Sequence, residues 1–169
     1  MHEAVLTIRP FTLEDTSSFF HHVCRAPDLW ESLGFEREPS VEEASQYIQT
    51  RVKLYETMRL FDFAVELNRE VIDEINAAIT KDKDAAIGYV IAPTFRKQGY
   101  GFAGVQLLFE LLRKEGIRNI YGACRPDNSA SIRLMEKAGM RRTEDIPEPV
   151  RKREEKGELI FFVRKGEDL

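Results

Sequence analysis

Cysteine is scarce. Only Cys24 and Cys124 occur in 169 residues, too few for a disulfide framework and without the spacing of a zinc motif. Both are expected to be buried, reduced thiols, and neither has a histidine nearby that would suggest a nucleophile. No apolar run approaches the roughly 20 residues needed to span a bilayer. The N-terminus lacks a basic start followed by an apolar core, so no signal peptide is expected and the cytoplasm is the default compartment. An excess of positive charge is missing too. The formal net charge is −4, which gives no electrostatic case for nucleic acid. Neither a P-loop nor a dinucleotide fingerprint is present, which argues against a generic nucleotide-phosphate binder.

With 43% hydrophobic and 32% charged residues, the chain reads as one soluble globular domain over residues 1–169. It is organised around one stretch, Ile87 to Phe102. Ile87 to Ala92 is an apolar run typical of a strand. Pro93 removes a ladder donor and should end it. Arg96 to Gly101 is a basic, glycine-bearing turn. From Phe102 the period becomes helical, with Val105, Leu108, Phe109 and Leu112 on the same face. A helix N-terminus has unpaired N–H groups and a partial positive charge. Gly99 and Gly101 put no side chain between that backbone and a ligand, and Arg96 and Lys97 add charge. Such a turn suits a phosphate or pyrophosphate. The other reading is an ordinary tight turn.

The flanking sequence reads as follows. Ala4 to Phe11 is a strand, closed by a Thr12/Asp15 cap. The next helix should bury Leu13, Phe19, Phe20 and Val23. Its adjacent His21 and His22 point apart, so one metal cannot use both; they are expected at or near the surface, with no metal site. Asp28 to Pro39 reads as a loop carrying Trp30, either packed beneath it or lining an acceptor pocket. Ser40 and Glu43 form a capping box, opening a helix with Val41, Ala44, Tyr47, Ile48, Val52 and Tyr55 in one stripe. Three antiparallel strands follow: Phe61 to Leu67, Val71 to Ile79 and Ala85 to Ala92. Helix 99–115 ends at Gly116 and leads to a strand, Asn119 to Arg125, parallel to the one before it. Asp127 and Asn128 cap a short helix, Ser129 to Ala138. Arg141 to Thr143 and Leu159 to Arg164 are closing strands, with a charged, proline-rich hairpin at Glu144 to Gly157. Its Arg151-Lys152-Arg153 run reads as a solvated tip. The result is an α/β domain with a mixed, mostly antiparallel sheet, a parallel pair in the middle and helices on both faces.

Two separate blocks resemble the GNAT acyl-CoA N-acyltransferases. Arg96-Lys97-Gln98-Gly99-Tyr100-Gly101 is similar to that family's Gln/Arg-x-x-Gly-x-Gly/Ala turn. Arg125-Pro126-Asp127-Asn128-Ser129-Ala130-Ser131, with Leu134 and Glu136-Lys137-Ala138-Gly139-Met140, is similar to its downstream Asn-x-x-Ser block. Ile87-Gly88-Tyr89 fits as well. Ile8-Arg9-Pro10-Phe11 and the Ser40, Glu42-Glu43-Ala44 helix resemble the Rim-type branch, which includes N-terminal acetyltransferases of ribosomal proteins and many uncharacterised relatives. The likeness spans nearly the whole chain.

The resemblance implies acetyl-CoA as co-substrate and an amine as acceptor, with no metal. The pyrophosphate would rest on the N–H groups of Gln98, Gly99, Tyr100, Gly101 and Phe102, with Arg96 and Lys97 nearby. A bulge at about Tyr89 to Ala92 would open a strand edge to the pantetheine arm, and Val90 or Ile91 would polarise the thioester carbonyl through its N–H. Ala92 falls in the same segment. Asn128 would hold the arm, and Ser131 would give a proton to the departing sulfur; the alternative for Ser131 is helix capping. Where many relatives have a tyrosine this chain has Met135, which cannot donate. Ala86 stands where some carry a glutamate. Glu74 is the nearest substitute base by topology, unless it is an exposed strand carboxylate. The family's chemistry therefore implies an acetyl-CoA-dependent N-acetyltransferase acting on a peptide N-terminus or small amine. The alternative is a non-catalytic acyl-CoA-binding or regulatory module on the same fold. The resemblance also leaves room for a homodimer.

Overall fold

The computed structural model describes residues 5–57, 60–151 and 158–166. Ala4 of the expected first strand lies outside them, as do Lys152 to Gly157 of the expected hairpin, Lys152-Arg153 among them. The strands are β1 (Leu6–Pro10), β2 (Leu60–Leu67), β3 (Glu70–Ile79), β4 (Asp84–Ile91), β5 (Asn119–Cys124), β6 (Arg141–Thr143) and β7 (Ile160–Lys165). They form a seven-stranded sheet in the order β1-β2-β3-β4-β5-β7-β6. It is a mixed sheet, with β4 and β5 the parallel pair. The α/β class read from the sequence holds. The chain packs as two compact units, Met1–Asn76 with Tyr89–Gly104, and Ala77–Gly88 with Val105–Leu169.

In the first unit β1 pairs antiparallel with β2, from Leu6↔Leu67 to Pro10↔Phe63. Beyond β1 the Thr12 cap forms, the Thr12 N–H donating to Asp15 Oδ2 at 2.8 Å. The helix expected next is broken into three: a 3-10 turn Leu13–Asp15, α1 (Thr16–Phe19) and a π turn Phe20–Cys24. The tighter winding of the first turn, about three residues per revolution, takes Leu13 off the stripe. It is 56% exposed, while Phe19 and Val23 are fully buried. The expected loop at Asp28 is also helical, with a 3-10 turn Pro27–Leu29 running into α2 (Trp30–Leu33). Pro27 starts that turn at no cost in hydrogen bonds. Leu29 and Leu33, four apart, are both buried, and Gly34 ends the helix at φ +83°. The Ser40/Glu43 box forms, Ser40 N–H to Glu43 Oε2 at 2.7 Å and Glu43 N–H to Ser40 Oγ at 3.2 Å. It opens α3 (Val41–Thr57). Ala44 and Ile48 of α3 join Phe11, Phe19, Val23 and Leu33 in the apolar core. Val41 and Tyr55, at the ends of the expected stripe, overrun that core and are exposed.

The second unit holds the parallel register, Asp84↔Asn119 to Ile87↔Gly122. β5 pairs antiparallel with β7, which in turn pairs with β6. From α4 (Tyr100–Lys114) it takes Val105, Leu108, Phe109 and Leu112, all buried. The helix stops at Gly116, where the Ile117 N–H reaches back to Leu112 O at 3.1 Å. The expected hairpin at Glu144 contains a helical turn instead, α6 (Glu148–Arg151). Val150 anchors it, packed with Tyr121, Ile146 and Val163. Both cysteines are free and buried, and burial pushes the Cys24 thiol up to about 12. Among the described residues no helix is long and apolar enough to cross a membrane.

Candidate functional site

The end of β4 and the turn after it lie in the first unit. Asp84 to Ile87 are buried, but Gly88, Tyr89, Val90 and Ile91 are only half-buried. The strand stops at Ile91, one residue before Ala92 and two before the donor-less Pro93. Ala92 is fully buried in the apolar core, and its carbonyl accepts from the Phe95 N–H at 2.9 Å. Val90, half-buried, packs against the same core.

A 3-10 turn, Pro93–Phe95, leads to the glycine-bearing turn. There Lys97 takes φ +60° and Gly99 φ +89°. The second suits glycine; the first is a left-handed conformation that a lysine adopts only under constraint. The first α4 bond runs from the Ala103 N–H to Gly99 O at 3.0 Å. Helix geometry gives the N–H groups of Tyr100 and Gly101 no acceptor inside the helix. A Cβ added at Gly99 would meet nothing within 4 Å, so the space over this backbone is open to a ligand.

The two basic residues of the turn differ. Arg96 was expected as a source of charge. Its guanidinium is already engaged, Nε donating to Ile91 O at 2.8 Å and Nη1 paired with Asp28 Oδ2 at 2.6 Å. Gln98 reaches back in the same way, Nε2 to Thr94 O at 2.8 Å. His22, half-buried, has Nε2 3.0 Å from Glu70 Oε2 and an edge-to-face contact with Phe95, which meets Tyr100 similarly.

Glu74 is not an exposed strand carboxylate. It and its neighbour Asp73 are each 2% exposed, because β3 is covered on both faces and alternation does not hide one of them from packing. Glu74 accepts from the Tyr47 O–H at 2.7 Å. Arg51 donates to Tyr47 Oη at 2.6 Å, and its Nε lies 2.9 Å from Asp62 Oδ2 and 3.4 Å from Glu74 Oε1. That Nε lacks hydrogen-bond geometry, and buried Asp62 Oδ1 has no partner among the described residues. The i, i+4 spacing of Tyr47 and Arg51 on α3 was the one sequence signal of this group. Burial, reinforced by the nearby Glu74 charge, pushes Asp62 up to about 8 against the pull of Arg51. A carboxyl raised on folding stabilises fully below its unfolded value near 3.8, and that contribution is lost as pH rises through about 8. Asp62→Asn mimics the protonated form. Its stability relative to the parent chain is expected to rise steadily from pH 5 to pH 8.5 in urea titrations; a constant difference would count against a raised Asp62.

In the second unit, Asn128 caps α5 (Ser129–Lys137), its Oδ1 accepting from the Ser131 N–H at 3.1 Å. Capping thus accounts for the Ser131 main chain; Ser131 itself is half-buried, after exposed Ser129 and Ala130. Met135 is buried, with its sulfur 2.8 Å from where a Gly122 Cβ would stand. Gly122 therefore makes room for the methionine.

The Acetyltransferase (GNAT) domain model matches residues 5–141. The chain belongs to the GNAT acetyltransferase family. It is 29% identical over 143 residues to the uncharacterized N-acetyltransferase YoaA of Bacillus subtilis (strain 168), covering 81% of this chain and 80% of that protein. A shorter match, 39% over 57 residues, is to the uncharacterized N-acetyltransferase YnaD of the same organism; it spans 33% of this chain and about a third (34%) of that protein. Among solved structures, the RimL ribosomal L7/L12 α-N-protein acetyltransferase in complex with coenzyme A superposes with a TM-score of 0.78 at 18% identity, covering 99% of this chain and 100% of that one. The resemblance read from two motif blocks is thus upheld at the level of the family.

Proposed function

We propose that this GNAT acetyltransferase, read as one domain over residues 1–169, moves an acetyl group from acetyl-CoA directly to a primary amine. Support comes chiefly from the open, left-handed turn at Gly99, after which the Tyr100 and Gly101 N–H groups have no acceptor inside α4. Gln98 to Phe102 would hold the diphosphate, with Lys97 the nearer charge and Arg96 bracing the turn. The half-buried main chain at Tyr89, Val90 and Ile91 would pair with the pantetheine amides. Ile91 O already accepts from Arg96 Nε and keeps one lone pair for such pairing. When bound, acetyl-CoA supplies an activated thioester carbonyl. The Val90 or Ile91 N–H would stabilise negative charge on its oxygen. Asn128 Nδ2 would hold the arm, since Oδ1 serves as the cap. The Ser131 hydroxyl would protonate the departing sulfur.

The acceptor must be neutral to attack. An α-amine has an ordinary pKa of about 8 and a lysine about 10.4. The Glu74 carboxylate is shared between Tyr47 and Arg51 and would have to give up one of them to act as base. We therefore assign the amine's proton to water. Such a site suits a peptide N-terminus or small α-amine, as in the Rim-type branch.

Thiol release with acetyl-CoA and a panel of peptide N-termini and small amines tests the reading; turnover on an α-amine is expected. Coenzyme binding with no turnover on any amine would favour a non-catalytic acyl-CoA-binding module. Ser131→Ala is expected to lower kcat by about 100-fold or more, in the range of general acid catalysis, with little change in coenzyme affinity. Equal rates would remove Ser131 from the mechanism.

A further inference from the structure

We infer that Asp28 is a positioning residue for coenzyme binding: it anchors Arg96, and through Arg96 it holds the turn at Lys97 in its left-handed form. The inference rests on the coenzyme reading above.

Lys97 is a non-glycine residue at φ +60°, two positions before Gly99 at φ +89°. A side chain disfavours that conformation, so it persists only where neighbouring contacts over-determine it. The contacts are those of the two residues flanking Lys97. Arg96 is fixed at both ends of its guanidinium, to the main chain of β4 at Ile91 O and to Asp28 on the Pro27–Leu29 turn. Its own N–H donates to Pro93 O at 3.2 Å. Gln98 is tied to Thr94 O. Lys97 therefore sits between two anchored residues. Arg96 suits this task because its planar fork can meet a carbonyl and a carboxylate at once, which a lysine ammonium does poorly.

Asp28 looks wrong for its place if only charge is considered. A carboxylate near an anion-binding turn should weaken anion binding. The geometry assigns it the opposite effect, because without it Arg96 keeps only the carbonyl bond and the strained turn loses a brace. The two accounts differ in sign, which makes the role testable.

The test is Asp28→Asn, a substitution at a half-exposed side chain that should leave the fold intact. Coenzyme A affinity is expected to weaken by about 5- to 30-fold, the equivalent of one left-handed residue's bias, with kcat at saturation unchanged. In a Lys97→Gly background, where φ > 0 carries no penalty, the same substitution should cost markedly less. In the coenzyme-free protein the amides of Arg96 and Ala103, bonded to Pro93 O and Gly99 O, should exchange hydrogen faster in Asp28→Asn than in the parent. Unchanged or tighter coenzyme binding, or an equal cost in both backgrounds, overturns the inference. If the parent chain does not bind coenzyme A at all, the coenzyme reading falls, and unchanged amide exchange then overturns the bracing role on its own.

Discussion

Coenzyme A binding by Gly99→Glu is expected to fall below calorimetric detection, a loss of about 100-fold or more. Two effects add. At φ +89° any side chain brings a penalty of about 1–2 kcal/mol, so the turn itself shifts. The new side chain then enters the open space over the backbone, placing bulk and negative charge where the diphosphate would lie. Because nothing stands within 4 Å of that Cβ, the fold should survive. Gly101→Glu should abolish binding by a cleaner route. In the first turn of α4 a glutamate is favoured by the helix dipole, so the protein is expected to be no less stable while the anion site is lost. Unchanged affinity in either variant would contradict the placement.

Arg51→Met is expected to destabilise the chain by about 3–5 kcal/mol in urea unfolding at neutral pH, the cost typical of removing one partner from a buried ion group. Arg51 is the cation in a group holding Asp62, Glu74 and the Tyr47 hydroxyl. Its guanidinium also lies 4.0 Å from the centre of the Tyr47 ring, so packing is lost with the charge. Burial holds Tyr47 well above its usual phenol range, with the Glu74 charge adding to it. A phenol can only lose a proton and so cannot replace a cation, and the buried Glu74 carboxylate loses its guanidinium partner. A loss below about 1 kcal/mol, as for an exposed pair, would contradict a buried ion group held by Arg51. Adding Asp62→Asn to Arg51→Met should recover part of the loss.

The fold was legible where local chemistry repeats. The Ser40/Glu43 box, the β-turn-α unit at Ile87 to Phe102 and the Gly116 stop each declare themselves within a few residues. The periodicity reading failed where a second layer of packing intervened. Alternation on β3 suggested an outward Glu74, but a strand covered on both faces buries odd and even positions alike. Leu13 went astray because the chain enters that helix through a 3-10 turn. α2 and α6 were missed because four-residue helices have no period; Leu29 and Leu33, and Val150 with its neighbours, hold them by tertiary contacts. Of the candidate site, the glycines and their motif were visible in one dimension. The Asp28 to Arg96 pair was not, because 68 positions separate the partners and only Arg96 belongs to a motif. Ala92 read as the end of the strand and lies buried just beyond it.

The most direct measurement is a crystal structure of this chain with coenzyme A bound. The account predicts the diphosphate within hydrogen-bond distance of the main-chain N–H groups between Gln98 and Phe102, with Lys97 still at positive φ. A diphosphate held by side chains elsewhere on the molecule, with this turn left to solvent, would contradict it.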